Sequence, residues 1–114
     1  MTEPNAKHHQ LRVTVEPESG RVAVEPNPVY IASGDRVDWT CEAGPFAIHF
    51  EPVSPLARRR FWTTGDRNTV GGHIRANNLP GKYRYFVAVL HDGQIYTEDP
   101  ELIDDPVGPP RGTV

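Results

Sequence analysis

Five histidines and one cysteine are the side chains of this sequence that could hold a metal ion or carry out thiol chemistry. His8 and His9 are adjacent in a polar N-terminal stretch, where two imidazoles can bind a divalent cation weakly. That stretch, residues 1–9, reads as a solvated, disordered segment. His49 and His73 both fall on the polar parity of their segments. They would face outward and could meet if their strands were neighbours on one sheet. His91 stands at an Asp92-Gly93 turn and could join them. These three, His49, His73 and His91, are the ligands of a surface metal site if the chain has one. Cys41 shares its parity with Trp39 and reads as a small buried hydrophobe. A reactive thiol needs exposure and a lowered pKa, and nothing near it in the sequence supplies either. Glu98, Asp99, Glu101, Asp104 and Asp105 form an acidic stretch, but without the alternating Asp-x-Asp-x-Asp-Gly spacing of a calcium loop.

Arg58-Arg59-Arg60-Phe61-Trp62 is the other run with chemical content. Arginine and tryptophan are enriched as anchors at protein interfaces. Cations beside aromatics also suit single-stranded nucleic acid, through phosphate neutralisation and base stacking. A formal net charge of −3 disfavours the nucleic-acid reading. A third possibility is a basic loop whose Phe61 or Trp62 turns inward to cap the core. The expectation is a surface for a protein partner at Arg58, Arg59, Arg60, Phe61 and Trp62. No Gly-x-Ser-x-Gly, His-Glu-x-x-His or phosphate-cradling glycine loop is present, so no catalysis is expected.

These residues are carried by short elements. Twelve prolines and ten glycines punctuate 114 residues, and no long helical period survives between them. Short alternating runs separated by turn signals are the pattern of a β-sandwich. Leu11, Val13 and Val15 mark a first strand, and Val22 and Val24 a second after the Ser19-Gly20 turn. Glu25-Pro26-Asn27-Pro28 breaks the chain before an edge-type strand at 29–32. Ser33-Gly34-Asp35 is a tight turn, and Val37, Trp39 and Cys41 are the inward row of the strand that follows. Phe46, Ile48 and Phe50 form another inward row, with Ala47, His49 and Glu51 opposite. Pro52 and Pro55 interrupt the pattern, and 56–62 reads as a single helical turn or an irregular loop. Gly71-Gly72 opens a strand with Ile74 and Ala76 inward. Asn77 to Gly81 turns into the longest strand, 83–90, whose inward residues include Tyr83, Tyr85, Val87 and Val89. His91-Asp92-Gly93 is a hairpin turn, 94–97 returns, and Leu102 and Ile103 close the sheet.

Two of these segments carry a family likeness. Gly34-Asp35-Arg36-Val37-Asp38-Trp39 leads to Pro45-Phe46-Ala47-Ile48-His49-Phe50, and Gly81-Lys82-Tyr83-Arg84-Tyr85-Phe86-Val87-Ala88-Val89-Leu90 runs on to Ile95. Together they resemble the cupredoxins, Greek-key β-sandwiches related in form to plastocyanin. The likeness covers most of residues 10–104 and implies an all-β, cupredoxin-like sandwich. An immunoglobulin-like sandwich is the competing architecture. In the cupredoxin pattern the first segment carries Pro-His-x-Val and the second Gly-x-Tyr-x-Phe/Tyr-x-Cys-x-x-His, with Met soon after. Those four ligand positions fall on Phe46, Val87, Leu90 and Ile95. A blue-copper centre needs a thiolate, two imidazoles and a weak axial ligand. The resemblance therefore implies the frame of a copper protein whose site has become an apolar plug.

Length agrees with one domain over 10–105, large enough for a core without staples. Residues 106–114, rich in Pro and Gly, read as a disordered tail. One cysteine allows no intramolecular disulfide. Residues 1–10 lack the apolar run of a signal peptide, and no stretch is long and apolar enough to span a bilayer. The expectation is a cytoplasmic, copper-free, cofactor-free accessory module that binds a protein. A metal-binding protein using surface histidines is the alternative, and a copper electron-transfer protein a more distant one.

Overall fold

The alternation of apolar and polar residues is realised as ten strands in a computed structural model, which describes residues 6–16 and 18–105. Two mixed sheets stack into a sandwich, and there is no helix among the described residues. The first sheet contains β1 (His8–Glu16), β2 (Arg21–Glu25), β4 (Arg36–Cys41) and β7 (Thr69–His73) in the order β2-β1-β4-β7. Gly20, at φ 71°, makes the tight return from β1 to β2, whose residues pair antiparallel. β1 and β4 run parallel, with His8 opposite Arg36 and Val13 opposite Cys41. Strand β1 begins at His8, so His8 and His9 belong to the sheet and not to a disordered leader. Residues 1–5 of the expected N-terminal segment and the expected tail, 106–114, lie outside the described residues.

The second sheet orders β3 (Val29–Ile31), β10 (Glu101–Asp104), β8 (Gly81–His91), β5 (Phe46–Phe50) and β6 (Arg60–Trp62). Strand β9 (Gln94–Glu98) also pairs with β8, through the Asp92-Gly93 hairpin. Both turn residues have positive φ, 51° and 75°, the backbone that Asp-Gly accepts in a two-residue hairpin. The expected edge strand at Val29 ends the sheet, while β10 lies between β3 and β8 rather than closing it.

The core is what the alternation promised over most of the chain. Leu11, Val13, Val37, Trp39, Cys41, Phe46, Ile48, Phe50, Val87 and Val89 are all buried. Trp39 packs edge-on against Phe50 and Tyr85, with ring centroids 6.1 and 5.4 Å away. Its indole N–H donates to the Tyr85 hydroxyl at 3.0 Å, which satisfies the one polar group that each ring brings into the interior. Burial pushes the Tyr85 phenol up from its ordinary value, against the smaller lowering effect of the Trp39 hydrogen bond.

Two segments differ from expectation. Residues 56–62 form no helical turn: Leu56 bridges Ile74, and Arg60–Trp62 is β6, antiparallel to β5. With one apolar residue facing in and charges around it, β6 leaves almost no alternation to read. The strand expected to open at Gly71-Gly72 contains them centrally, and Ala76 beyond its end is exposed. A Cβ on Gly71 would lie 2.2 Å from both the Asp38 Oδ1 and the Val37 carbonyl oxygen. Glycine is there because β4 approaches too closely for any side chain.

Candidate functional site

The Gly34-Asp35 turn shows why that motif occurs. Asp35 is buried, and its carboxylate accepts from the Lys7 N–H (3.0 Å), the Ala32 N–H (3.0 Å) and His9 Nε2 (2.8 Å). It thereby ties the start of β1 to the turn before β4, and satisfied partners are what a buried carboxylate requires. Next to it, Asp38 accepts from His8 Nε2 at 2.6 Å and Arg36 Nε at 2.8 Å. Desolvation pushes the Asp38 carboxyl upward, but the bonds and charges of Arg36 and His8 outweigh it and hold it below its ordinary value. His8 and His9 are therefore each committed to a carboxylate.

The other histidines do not assemble. His49 lies on β5 and His73 on β7, in different sheets, and their polar parity points them to opposite outer faces of the sandwich. The pairing considered from sequence is not formed, because the two strands belong to different sheets. His49 Nε2 has no hydrogen-bond partner among the described residues, and Glu51 Oε2 is 3.9 Å away. His91 Nδ1 donates to the Ala43 carbonyl at 2.9 Å, bracing the hairpin end. No group of three or more His, Cys, Asp or Glu is placed to hold a metal among the described residues.

The four positions that the cupredoxin likeness assigns to ligands split into two pairs. Phe46 and Val87 are buried in the core. Leu90 and Ile95 are 45% and 70% exposed and face each other across the β8–β9 hairpin. The expected plug of four buried residues is thus only half right. Strand β8 stays extended through His91, so positions 87 and 90 point to opposite faces. Cys41 is buried on β4, in the first sheet.

The cationic run is also divided by parity. Phe61 is buried against Trp39, with centroids 6.2 Å apart, so it is a core residue and not a surface anchor. Trp62, on the opposite face, is 55% exposed. Arg58 stacks over both rings, its Cζ 5.4 Å from the Phe61 centroid and 5.6 Å from that of Trp62. Arg59 donates to the Pro52 carbonyl at 3.2 Å. None of Arg58, Arg59 and Arg60 has a carboxylate partner among the described residues.

Beside Trp62 opens a cleft of about 540 Å³ between β6 and β7, lined also by Arg36, Arg67, Asn68 and Thr69. On its other side lies a shallow groove of about 230 Å³, floored by Ala47 and Ala88 and walled by Leu90 and Ile95. Sequence reading missed Arg67, which lies in a loop with no motif. It also missed the Leu90–Ile95 pair as surface, although Leu90 has the parity opposite to Val87 and Val89. No protein-family model matches this chain, and no curated protein is detectably similar to it. Among the described residues, no helix is long and apolar enough to cross a membrane.

Proposed function

We propose that this chain is a copper-free, cupredoxin-like Greek-key β-sandwich that binds a protein partner, without catalysis, through Arg58, Arg59, Arg60 and Trp62. The observation that carries the reading is Trp62, a half-exposed indole beside arginines with no carboxylate partners among the described residues. An isolated surface tryptophan among unpaired cations leaves apolar area and charge unused, and both are what interface hot spots employ. The cupredoxin part is supported by direct pairing of β5 and β8, the strands that carry its two later segments. A cytoplasmic setting belongs to the same reading, since buried Cys41 needs no oxidising compartment.

The test is affinity recovery from the native host with the intact chain and two variants. Reversing Arg58, Arg59 and Arg60 to Glu should leave the melting temperature nearly unchanged, because exposed charges contribute little to stability. It should slow association and weaken its salt dependence. Trp62→Ala should raise the dissociation rate instead. If both folded variants recover the same partners as the wild type, the interface is elsewhere.

A further inference from the structure

Trp62 forms a ridge between two hollows of opposite character. The cleft on the β7 side presents Arg58 and Arg67, with Asn68, Thr64 and Thr69 as hydrogen-bonding groups. Arg36 and Asp38 also line it, but they are ion-paired at 2.8 Å and offset each other. Arg67 has no carboxylate partner among the described residues. The guanidinium of Arg58 is held in place by the two aromatic rings, so little side-chain freedom remains to be lost on binding an anion. Two unpaired cations at one cleft, in a chain of net charge −3, are complementary to an oxyanion and not to the protein's own surface.

The groove on the other side is apolar. Ala47 pairs with both Trp62 and Ala88, so two small residues form a low floor between the indole and the exposed Leu90–Ile95 pair. Neighbouring strands are about 4.8 Å apart, so the β8 strand of Leu90 lies about 10 Å from the ridge and the β9 strand of Ile95 about 14 Å. Extended chain covers these distances in about three to four residues.

We propose that the partner supplies an extended acidic segment laid across Trp62. One Asp or Glu carboxylate enters the cationic cleft, and an aliphatic side chain two to four positions away fills the groove. This rests on the partner-binding reading above and adds the chemistry of the bound element. A small free anion would use the cleft and leave the groove empty, and a nucleic-acid strand would meet an aliphatic wall where it needs cations.

The experiment titrates the full-length protein into short fluorescein-labelled peptides carrying one Glu and one Leu at spacings of two, three and four, read by anisotropy. Matched peptides replace Glu by Gln, Glu by phosphoserine, or Leu by Ser, and a single-stranded oligonucleotide is run alongside. At least one Glu/Leu peptide should bind, with either neutralising change weakening it roughly tenfold, as expected for a lost charged hydrogen bond or a lost aliphatic contact. Arg67→Glu should remove the advantage of Glu over Gln, and Ile95→Lys the advantage of Leu over Ser. Both residues are exposed, and unchanged melting curves will verify folding. Equal binding of the Gln or Ser peptides, or preference for phosphoserine or the oligonucleotide, overturns the proposal. If no peptide binds while Trp62→Ala still abolishes partner recovery, this inference fails and the partner-binding reading stands. If Trp62→Ala alters no recovery, that reading fails first.

Discussion

Phe61 and Trp62 follow each other in the chain and face opposite sides of one short strand, so their chemistry diverges completely. The same division runs through Phe46, Val87, Leu90 and Ile95, and it can be measured. Phe46 is 3% exposed, and Phe46→Ala should cost about 3–5 kcal/mol through lost burial and the cavity left behind. Leu90→Ala and Ile95→Ala, at exposed positions, should each cost less than about 1 kcal/mol. Urea denaturation of the three variants checks this, and comparable losses at all three would mean that β8 and β9 are out of register. Tyr85 supports a different test. Tyr85→Phe removes the acceptor of the Trp39 indole N–H and should lower stability by about 1–3 kcal/mol at neutral pH. Because burial raises the phenol pKa in the folded state, the neutral form is favoured there. The stabilisation is complete below the ordinary value near 10 and is lost as pH rises above it. The wild type should therefore weaken above about pH 10, and Tyr85→Phe should flatten that decline in denaturation curves taken across the alkaline range.

At the scale of elements, the first sheet is tied along its outer face by the Asp38 cluster. Arg36 and Asp38 lie two apart on β4, and His8 reaches the same carboxylate from the parallel strand β1. The Asp38 pKa is lowered in the folded state, so its contribution is present above the ordinary carboxylate value and lost as pH falls below it. Asp38→Asn should lower stability at neutral pH and flatten the acid limb below about pH 4, as read from melting temperatures at stepped pH. An acid limb unchanged by the substitution would remove this cluster from the account. Strong elements were legible in the sequence wherever one face is apolar over several residues, as in β4, β5 and β8. The edge strand β6 was not, because a three-residue strand with one buried side chain has no period to detect. Nor was the centre of β7, where Gly71 and Gly72 carry no side-chain pattern; Gly71 answers to the close approach of Val37 and Asp38, while a Cβ on Gly72 would meet only the Leu56 side chain at 3.3 Å. The candidate surface was half legible. The Arg58–Trp62 run stands out by composition, whereas the groove depends on a hairpin that brings Leu90 beside Ile95.

For the whole molecule, the frame and the site of the family it resembles come apart. Segments 46–50 and 85–89 pair directly, and β8 remains a regular strand to His91 that projects its side chains to alternate faces. A blue-copper centre needs a thiolate and imidazoles on one metal ion. Substituting Phe46→His, Val87→Cys, Leu90→His and Ile95→Met together supplies the ligand types but not their convergence. The thiolate would point from position 87 into the core, and the imidazole from position 90 outward beside position 95. This fourfold variant should consequently show no intense blue band with Cu(II), and the wild type none either, in anaerobic titrations followed by visible absorption. Placing two polar groups at buried Phe46 and Val87 should also lower its stability by several kcal/mol if no metal satisfies them, since each buried polar group without a partner costs about 1–3 kcal/mol. Copper-dependent recovery of the melting temperature together with a blue band would show that the β8–β9 hairpin can rearrange around a metal. Position 90 would then have to turn inward, and the exposed Leu90–Ile95 wall would be one conformation of a convertible site.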